Sequence, residues 1–183
     1  SKIIEVDHSL IGDTKKILRK LTLFSSKYKK NINITAIEKW WKKIKSWQRK
    51  NCLSYQKSKE VIKPQSVIET LHTLSKGKSF VTSDVGQHQM WVAQYYKFDK
   101  PNRWINSGGL GTMGFGLPAA IGAQLAFPKE QVICVTGEAS ILMCIQELST
   151  CLQYGLPIKV INLNNRYMGM VRQWQEFFYE GRY

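Results

Sequence analysis

A carboxylate and a carboxamide pose the chemical question in this sequence. Glu138 follows Gly137 where the apolar run Gln131–Thr136 stops, and Asn165 follows Asn164 where the next apolar run, Ile158–Leu163, stops. A carboxylate and an amide carbonyl are oxygen ligands of the kind a hard divalent cation takes. Ala139 and Ser140, next to Glu138, are small enough to let a ligand approach the backbone. Amides at a helix start favour phosphate. The run Gly108-Gly109-Leu110-Gly111-Thr112-Met113-Gly114-Phe115-Gly116 offers another backbone cradle. Each feature alone has a plainer explanation: acidic residues suit helix starts, and Asn after a strand often just makes a turn. Together, in this order and spacing, they favour a Mg2+–pyrophosphate site.

The glycines also fit a rival pattern. Gly109-x-Gly111-x-x-Gly114 has the spacing of a dinucleotide fingerprint. That motif requires an acidic residue about 20 positions on, at the end of the following strand. Glu130 stands before the strand Gln131–Thr136, not after it, which argues against a nicotinamide or flavin site on this loop. Neither G-x-S-x-G nor H-E-x-x-H occurs.

Holding these groups together calls for strands alternating with helices. From Pro64 a helix runs to about Leu74 and ends at Gly77. A strand, Ser79–Thr82, leads into Asp84-Val85-Gly86-Gln87-His88 and a helix to about Tyr96. Ile105 precedes the glycine loop Ser107–Gly116, and a helix of small residues follows from about Leu117. After the strand Gln131–Thr136, Ser140–Tyr154 reads as one helix with Ile141, Ile145, Leu148 and Leu152 inward, closed by Gly155 and Pro157. Ile158–Leu163 is the next strand. The order predicts an α/β fold, a doubly wound and mostly parallel sheet that binds ligands outside its strands' carboxyl ends.

Upstream, Lys2–Val6 is a short β-like run, and Asp13–Leu23 reads as a helix with Ile17, Leu18 and Leu21 on one face. Phe24–Asn33 is polar and lysine-rich and reads as a linker. Thr35 to about Lys50 predicts a helix opened by a Thr35/Glu38 capping box. Ile37, Trp40, Trp41, Ile44 and Trp47 follow helical spacing. Such a tryptophan stripe beside lysines can suit a membrane surface, but docking on a neighbouring domain is the simpler expectation.

At 183 residues, with 43% hydrophobic and 11% aromatic content, the chain can bury one full core. The weakly polar stretch Gly108–Ala123 is too short to span a bilayer. The start, SKIIEVDHSL, has no basic region followed by an apolar core, and it opens on Ser rather than Met, so a fragment without a signal peptide is expected. Cys52, Cys134, Cys144 and Cys151 form no metal-binding spacing and read as reduced, core-buried thiols of a cytoplasmic protein. Of the net charge of +14, residues 1–63 carry +12 (17 Lys/Arg, 5 Asp/Glu) and the remainder +2. A basic nucleic-acid-binding module led by the Trp/Lys helix is one alternative. The excess is mostly lysine in a stretch rich in Ile and Asn, a bias that nucleotide composition also produces.

Gly137-Glu138-Ala139 and Leu163-Asn164-Asn165 resemble the thiamine diphosphate motif, usually Gly-Asp-Gly or Gly-Asp-Ala followed by Asn-Asn. Longer runs, SDVGQHQMW (83–91), RWINSGGLGTMGFGLPAAIGAQ (103–124), IQELSTCLQYGLP (145–157) and LNNRYMGMVRQWQEFFYEGRY (163–183), resemble the catalytic large subunit of acetohydroxyacid (acetolactate) synthase. The resemblance implies three regions. Residues 1–24 would end a middle domain, 25–62 would be a basic linker carrying the amphipathic helix 35–50, and 63–183 would be a pyrophosphate-binding domain truncated at its C-terminal end.

The resemblance also assigns roles. Glu138, Asn165 and the backbone carbonyl of Tyr167 would hold Mg2+. Val85, Gly86, Gln87 and His88 would contact the diphosphate of thiamine diphosphate, which Gly137, Ala139 and Ser140 would line. Gly111 and Met113 would lie under the cofactor, with Met113 keeping thiamine bent. Gly169, Met170 and Val171 would close over it, and Trp174 would shape the pocket for the second keto acid. In the family the cofactor decarboxylates pyruvate and passes the two-carbon unit to pyruvate or 2-oxobutyrate, toward valine, leucine and isoleucine; the protein supplies binding and geometry. Small 2-keto acids, a homodimer or homotetramer, and a regulatory small subunit are the implied partners. The activating glutamate and most of the FAD-binding domain would lie outside these residues, so no catalytic residue is expected on this chain, and alone it is expected to be inactive. A truncated, inactive remnant of that enzyme, cut at both ends, altered at the metal ligand by Glu138 in place of the usual Asp, and lysine-rich through drift, is the other alternative.

Overall fold

The structure, a computed structural model, describes residues 3–28 and 32–183. The chain divides into two compact units, Ser1–Ser54 and Tyr55–Tyr183.

Among its described residues the first unit holds two helices, α1 (Thr14–Lys27) and α2 (Ile34–Gln48). Asp13 caps α1, its carboxylate accepting the Lys16 N–H at 2.9 Å. The helix continues four residues beyond the expected Leu23 end, into the stretch read as linker, to Lys27. There the Ser25 and Ser26 hydroxyls donate back to the Thr22 and Leu23 carbonyls, which lets polar residues remain helical. The rest of that stretch includes Lys29, Lys30 and Asn31, which lie outside the described residues. The cap of α2 is Asn33, whose side chain accepts the Ala36 N–H at 3.0 Å, rather than the expected Thr35. Asn is among the strongest N-caps, and it starts the helix earlier. Trp40 and Trp47 meet edge to face at 5.6 Å, with the Lys43 ammonium over both rings. Ile3–Val6 form no strand, in contrast to the expected β-like run, whose Lys2 lies outside the described residues.

In the second unit the described strands form one four-stranded parallel sheet, ordered β2 (Trp104–Asn106), β1 (Phe80–Ser83), β3 (Val132–Thr136), β4 (Lys159–Asn162). Thr82 pairs with Cys134, and Cys134 with Val160. Successive strand residues face opposite ways, and the core splits accordingly. Phe80, Val132 and Cys134 pack with Leu117, Ala120 and Ile121 of α5 (Gly116–Ala126). Val81, Ile133 and Val135 pack on the other face with Ile68 of α3 (Pro64–Ser75) and Val92 of α4 (Gln87–Tyr95). A sheet buried on both faces explains the near-continuous apolar runs of β1 and β3.

The helix expected over Ser140–Tyr154 is broken. α6 (Glu138–Leu142) ends before Cys144, whose backbone leaves the helical region (φ −144°, ψ 22°). A 3-10 turn at Ile145–Glu147 and α7 (Leu148–Gln153) follow. The break buries Cys144 and rotates the following residues, so Ile145, Leu148 and Leu152 face out rather than in, Leu152 at 86% exposure. A final helix, α8 (Gly169–Phe178), closes the unit. Among the thiols, Cys134 and Cys144 are buried as expected, Cys151 is half-buried and Cys52 is exposed, because the turn after α2 carries it on the surface.

Candidate functional site

The carboxyl ends of β1, β3 and β4 open onto one cleft. Four segments line it. The β1–α4 turn gives Val85, Gly86, Gln87 and His88; the glycine loop gives Met113; the β3–α6 junction gives Gly137, Glu138, Ala139 and Ser140. The β4–α8 connection and the start of α8 give Asn165, Tyr167, Gly169, Met170 and Val171. Glu138 and Asn165, named first from the sequence, therefore do face a common space.

One residue expected under the cofactor, Gly111, lies elsewhere, and Trp174, expected at the second keto acid's pocket, is not among the cleft residues. The Gly111 N–H closes a turn on the Ser107 carbonyl at 3.0 Å, in a left-handed backbone (φ 65°). Trp174 is 55% exposed on α8, its ring 4.8 Å from that of Phe178. In return the cleft contains Trp91, Leu163 and Met168, which the sequence did not single out. Trp91 could have been found by helical spacing, one turn on from Gln87 and His88.

Close packing shapes the β3–α6 junction. A Cβ on Gly137 would sit 2.9 Å from His88 Nδ1, so only glycine lets the imidazole lie against this turn. The Ser140 hydroxyl donates to the Val85 carbonyl at 3.1 Å and ties α6 to the β1–α4 turn. Across the cleft, Gln87 donates to Gln173 Oε1 at 3.1 Å and accepts from Asn165 Nδ2 at 3.3 Å, joining α4 to α8 and the β4 exit. Asn164 and Asn165 accept the Arg166 and Tyr167 N–H groups at 2.9 and 3.1 Å, which fixes the turn after β4.

Two polar atoms of the cleft are buried without a hydrogen-bond partner, Glu138 Oε1 and His88 Nε2. Burial pushes His88 below the usual imidazole range, against the opposing pull of the Asp84 and Glu138 carboxylates. An acceptor and a ring nitrogen left unmatched in this way are groups that a bound ligand would satisfy. Glu138 adds a single negative charge, and no group of three His, Cys, Asp or Glu side chains clusters among the described residues. One carboxylate, one amide oxygen and a backbone carbonyl leave further positions for phosphate oxygens, which is how Mg2+ is usually held. The donor set and the orphaned carboxylate oxygen thus fit a Mg2+–diphosphate group.

Residues 84–183 match the C-terminal TPP binding domain of thiamine pyrophosphate enzymes. The chain belongs to the thiamine pyrophosphate enzyme family. Its whole length is 56% identical to the acetolactate synthase isozyme 3 large subunit of Escherichia coli (strain K12), of which it covers 32%. It is also 56% identical to the acetolactate synthase large subunit of Buchnera aphidicola subsp. Schlechtendalia chinensis, and 50% identical over 184 aligned positions to that of Haemophilus influenzae, again covering 32% of each. The chain thus spans about a third of the length of these relatives. In this chain all four cleft segments fall inside the matched span, whereas α1 and α2 lie before it. Among the described residues no helix is long and apolar enough to cross a membrane.

Proposed function

We propose that this chain is part of an acetolactate synthase large subunit and that its cleft binds thiamine diphosphate through Mg2+. The observation that carries the reading is the orphaned, buried Glu138 oxygen at the start of α6, facing the same space as Asn165 in a chain of this family. In this reading Glu138, the Asn165 carboxamide oxygen and the Tyr167 carbonyl hold the metal. A carboxamide oxygen has two lone pairs, so Asn165 can keep its bond to the Tyr167 N–H while accepting a cation. Backbone amides at Ala139 and Ser140 and the Gly86–His88 turn take the diphosphate, aided by the helix-start dipole. Met113 supports the thiamine from below, and Gly169, Met170 and Val171 keep water from the cleft.

Bound thiamine diphosphate supplies decarboxylation of pyruvate and transfer of the two-carbon unit to pyruvate or 2-oxobutyrate. This chain's residues bind and orient it; Trp174, exposed on α8, would help form the second keto acid's pocket together with surfaces beyond these residues. FAD, the activating glutamate, subunit pairing in a homodimer or homotetramer and a regulatory small subunit belong to the complete enzyme of this reading. The test is a chimera in which the aligned third of the Escherichia coli large subunit is replaced by this chain. Acetolactate formation from pyruvate, dependent on thiamine diphosphate and Mg2+, is expected. A folded chimera that binds cofactor and forms no acetolactate would contradict the reading.

A further inference from the structure

Asp84 is the one acidic residue that is fully buried among the described residues, at 0% exposure, and it stands at the carboxyl end of β1. Neither ion pair found among the described residues, Arg103–Glu130 or Arg172–Glu176, involves it. A carboxylate without a cation is costly to bury unless donors surround it. Here the donors are specific. Oδ1 accepts the Val85 N–H at 3.0 Å and the Gly114 N–H at 2.9 Å, and Oδ2 accepts the Thr136 hydroxyl at 3.4 Å.

The Gly114 bond ties the end of β1 to the residue beside Met113, the glycine loop's contribution to the cleft. Two residues on, Gly116 presses against Asp84: a Cβ there would lie 3.0 Å from the Asp84 nitrogen and 3.2 Å from Oδ2. The Thr82 hydroxyl holds the Gly116 carbonyl at 2.9 Å. On the other side of Met113 the loop closes on itself, Ser107 accepting the Thr112 N–H on its hydroxyl and the Gly111 N–H on its carbonyl, both at 3.0 Å, and the tip between is open, with Leu110 94% exposed. Both neighbours of Met113 are held by a side chain, Thr112 by Ser107 from within the loop and Gly114 by Asp84 from outside it, so Asp84 is the one that ties the loop beside Met113 to the end of β1.

We propose that Asp84 is a positioning residue, its carboxylate pinning the Gly114 amide so that Met113 is held as the floor of the cofactor cleft. The inference rests on the thiamine diphosphate reading above. A hydrogen bond to a charged acceptor is about twice as strong as a neutral one. Asp84→Asn keeps a neutral acceptor at the same place, whereas Asp84→Ala removes it, so the two variants should form a graded series.

The test is hydrogen exchange of the 183-residue chain alongside titration with thiamine diphosphate in Mg2+. Expected are exchange over residues 107–116 that rises from wild type to Asp84→Asn to Asp84→Ala, by about tenfold at the last step, with α3 unchanged, and a cofactor dissociation constant that weakens in the same order. If Asp84→Ala does not fold, Asp84→Asn still has to show looser exchange confined to the loop and several-fold weaker binding. Exchange that rises equally everywhere, or variants that bind like wild type, would overturn the inference while leaving the cofactor reading intact. A wild-type chain that binds no thiamine diphosphate would instead overturn that reading and the inference with it.

Discussion

Glu138 is one methylene longer than the Asp usual at this position of the motif, which moves the carboxylate by roughly 1.5 Å. Mg2+ tolerates little departure from octahedral geometry. Glu138→Asp is therefore expected to tighten Mg2+-dependent binding of thiamine diphosphate, read by calorimetric titration; unchanged affinity would mean that the backbone has already adapted to the longer side chain. His88 carries a pH dependence. Its folded pKa lies below the unfolded value near 6.5, so the unfolded chain binds more protons in the interval between the two. The stability that this deficit represents is fully present above about pH 6.5 and is lost as pH falls through that window. Melting temperatures from pH 7.5 to 5 should drop more steeply for the wild type than for His88→Gln. Cys134, with its thiol pushed up to about 12 by burial, should resist iodoacetamide at pH 8 while exposed Cys52 reacts, as mass spectrometry of the two peptides would show.

Elements were legible where pattern and punctuation agreed. Gly137 and Asn164 marked real strand ends, and Pro64 and Gly77 bracketed α3 within a residue or two of its span. Three elements were not legible in this way. β2 has only three residues and takes its place from its pairing with β1, which local sequence does not record. α8 begins directly at a motif glycine and buries no residue, so motif content masked its helical spacing. The Ser140–Tyr154 run keeps helical periodicity through a break that only the packing of Cys144 into the core explains. That correction yields a contrast. Leu152→Ala should change stability by no more than about 0.5 kcal/mol, whereas Leu117→Ala, fully buried under the sheet, should cost about 2–5 kcal/mol in denaturant unfolding.

At the scale of the molecule, the sheet of Tyr55–Tyr183 brings chain segments 85–88, 113, 137–140 and 165–171 to one cleft, an outcome of parallel strand order rather than of any single motif. The sequence motifs named most of those residues. Asp84, buried between them, escaped notice because one acidic residue in a motif gives no sign of whether it faces ligand or backbone. Gly111 was placed under the cofactor by resemblance to the motif, whereas the fold sets it off the cleft lining; Trp174, placed by the same resemblance in the second keto acid's pocket, is exposed on α8. The central claim is that this cleft holds thiamine diphosphate through a metal bound by Glu138. Its most direct measurement is calorimetric titration of the chain with thiamine diphosphate, with Mg2+ present and after chelation, for the wild type and Glu138→Ala. One saturable site that disappears on chelation and weakens at least about tenfold in the variant is the predicted result. No binding by the wild type, or binding indifferent to Mg2+ and to Glu138, would contradict the account.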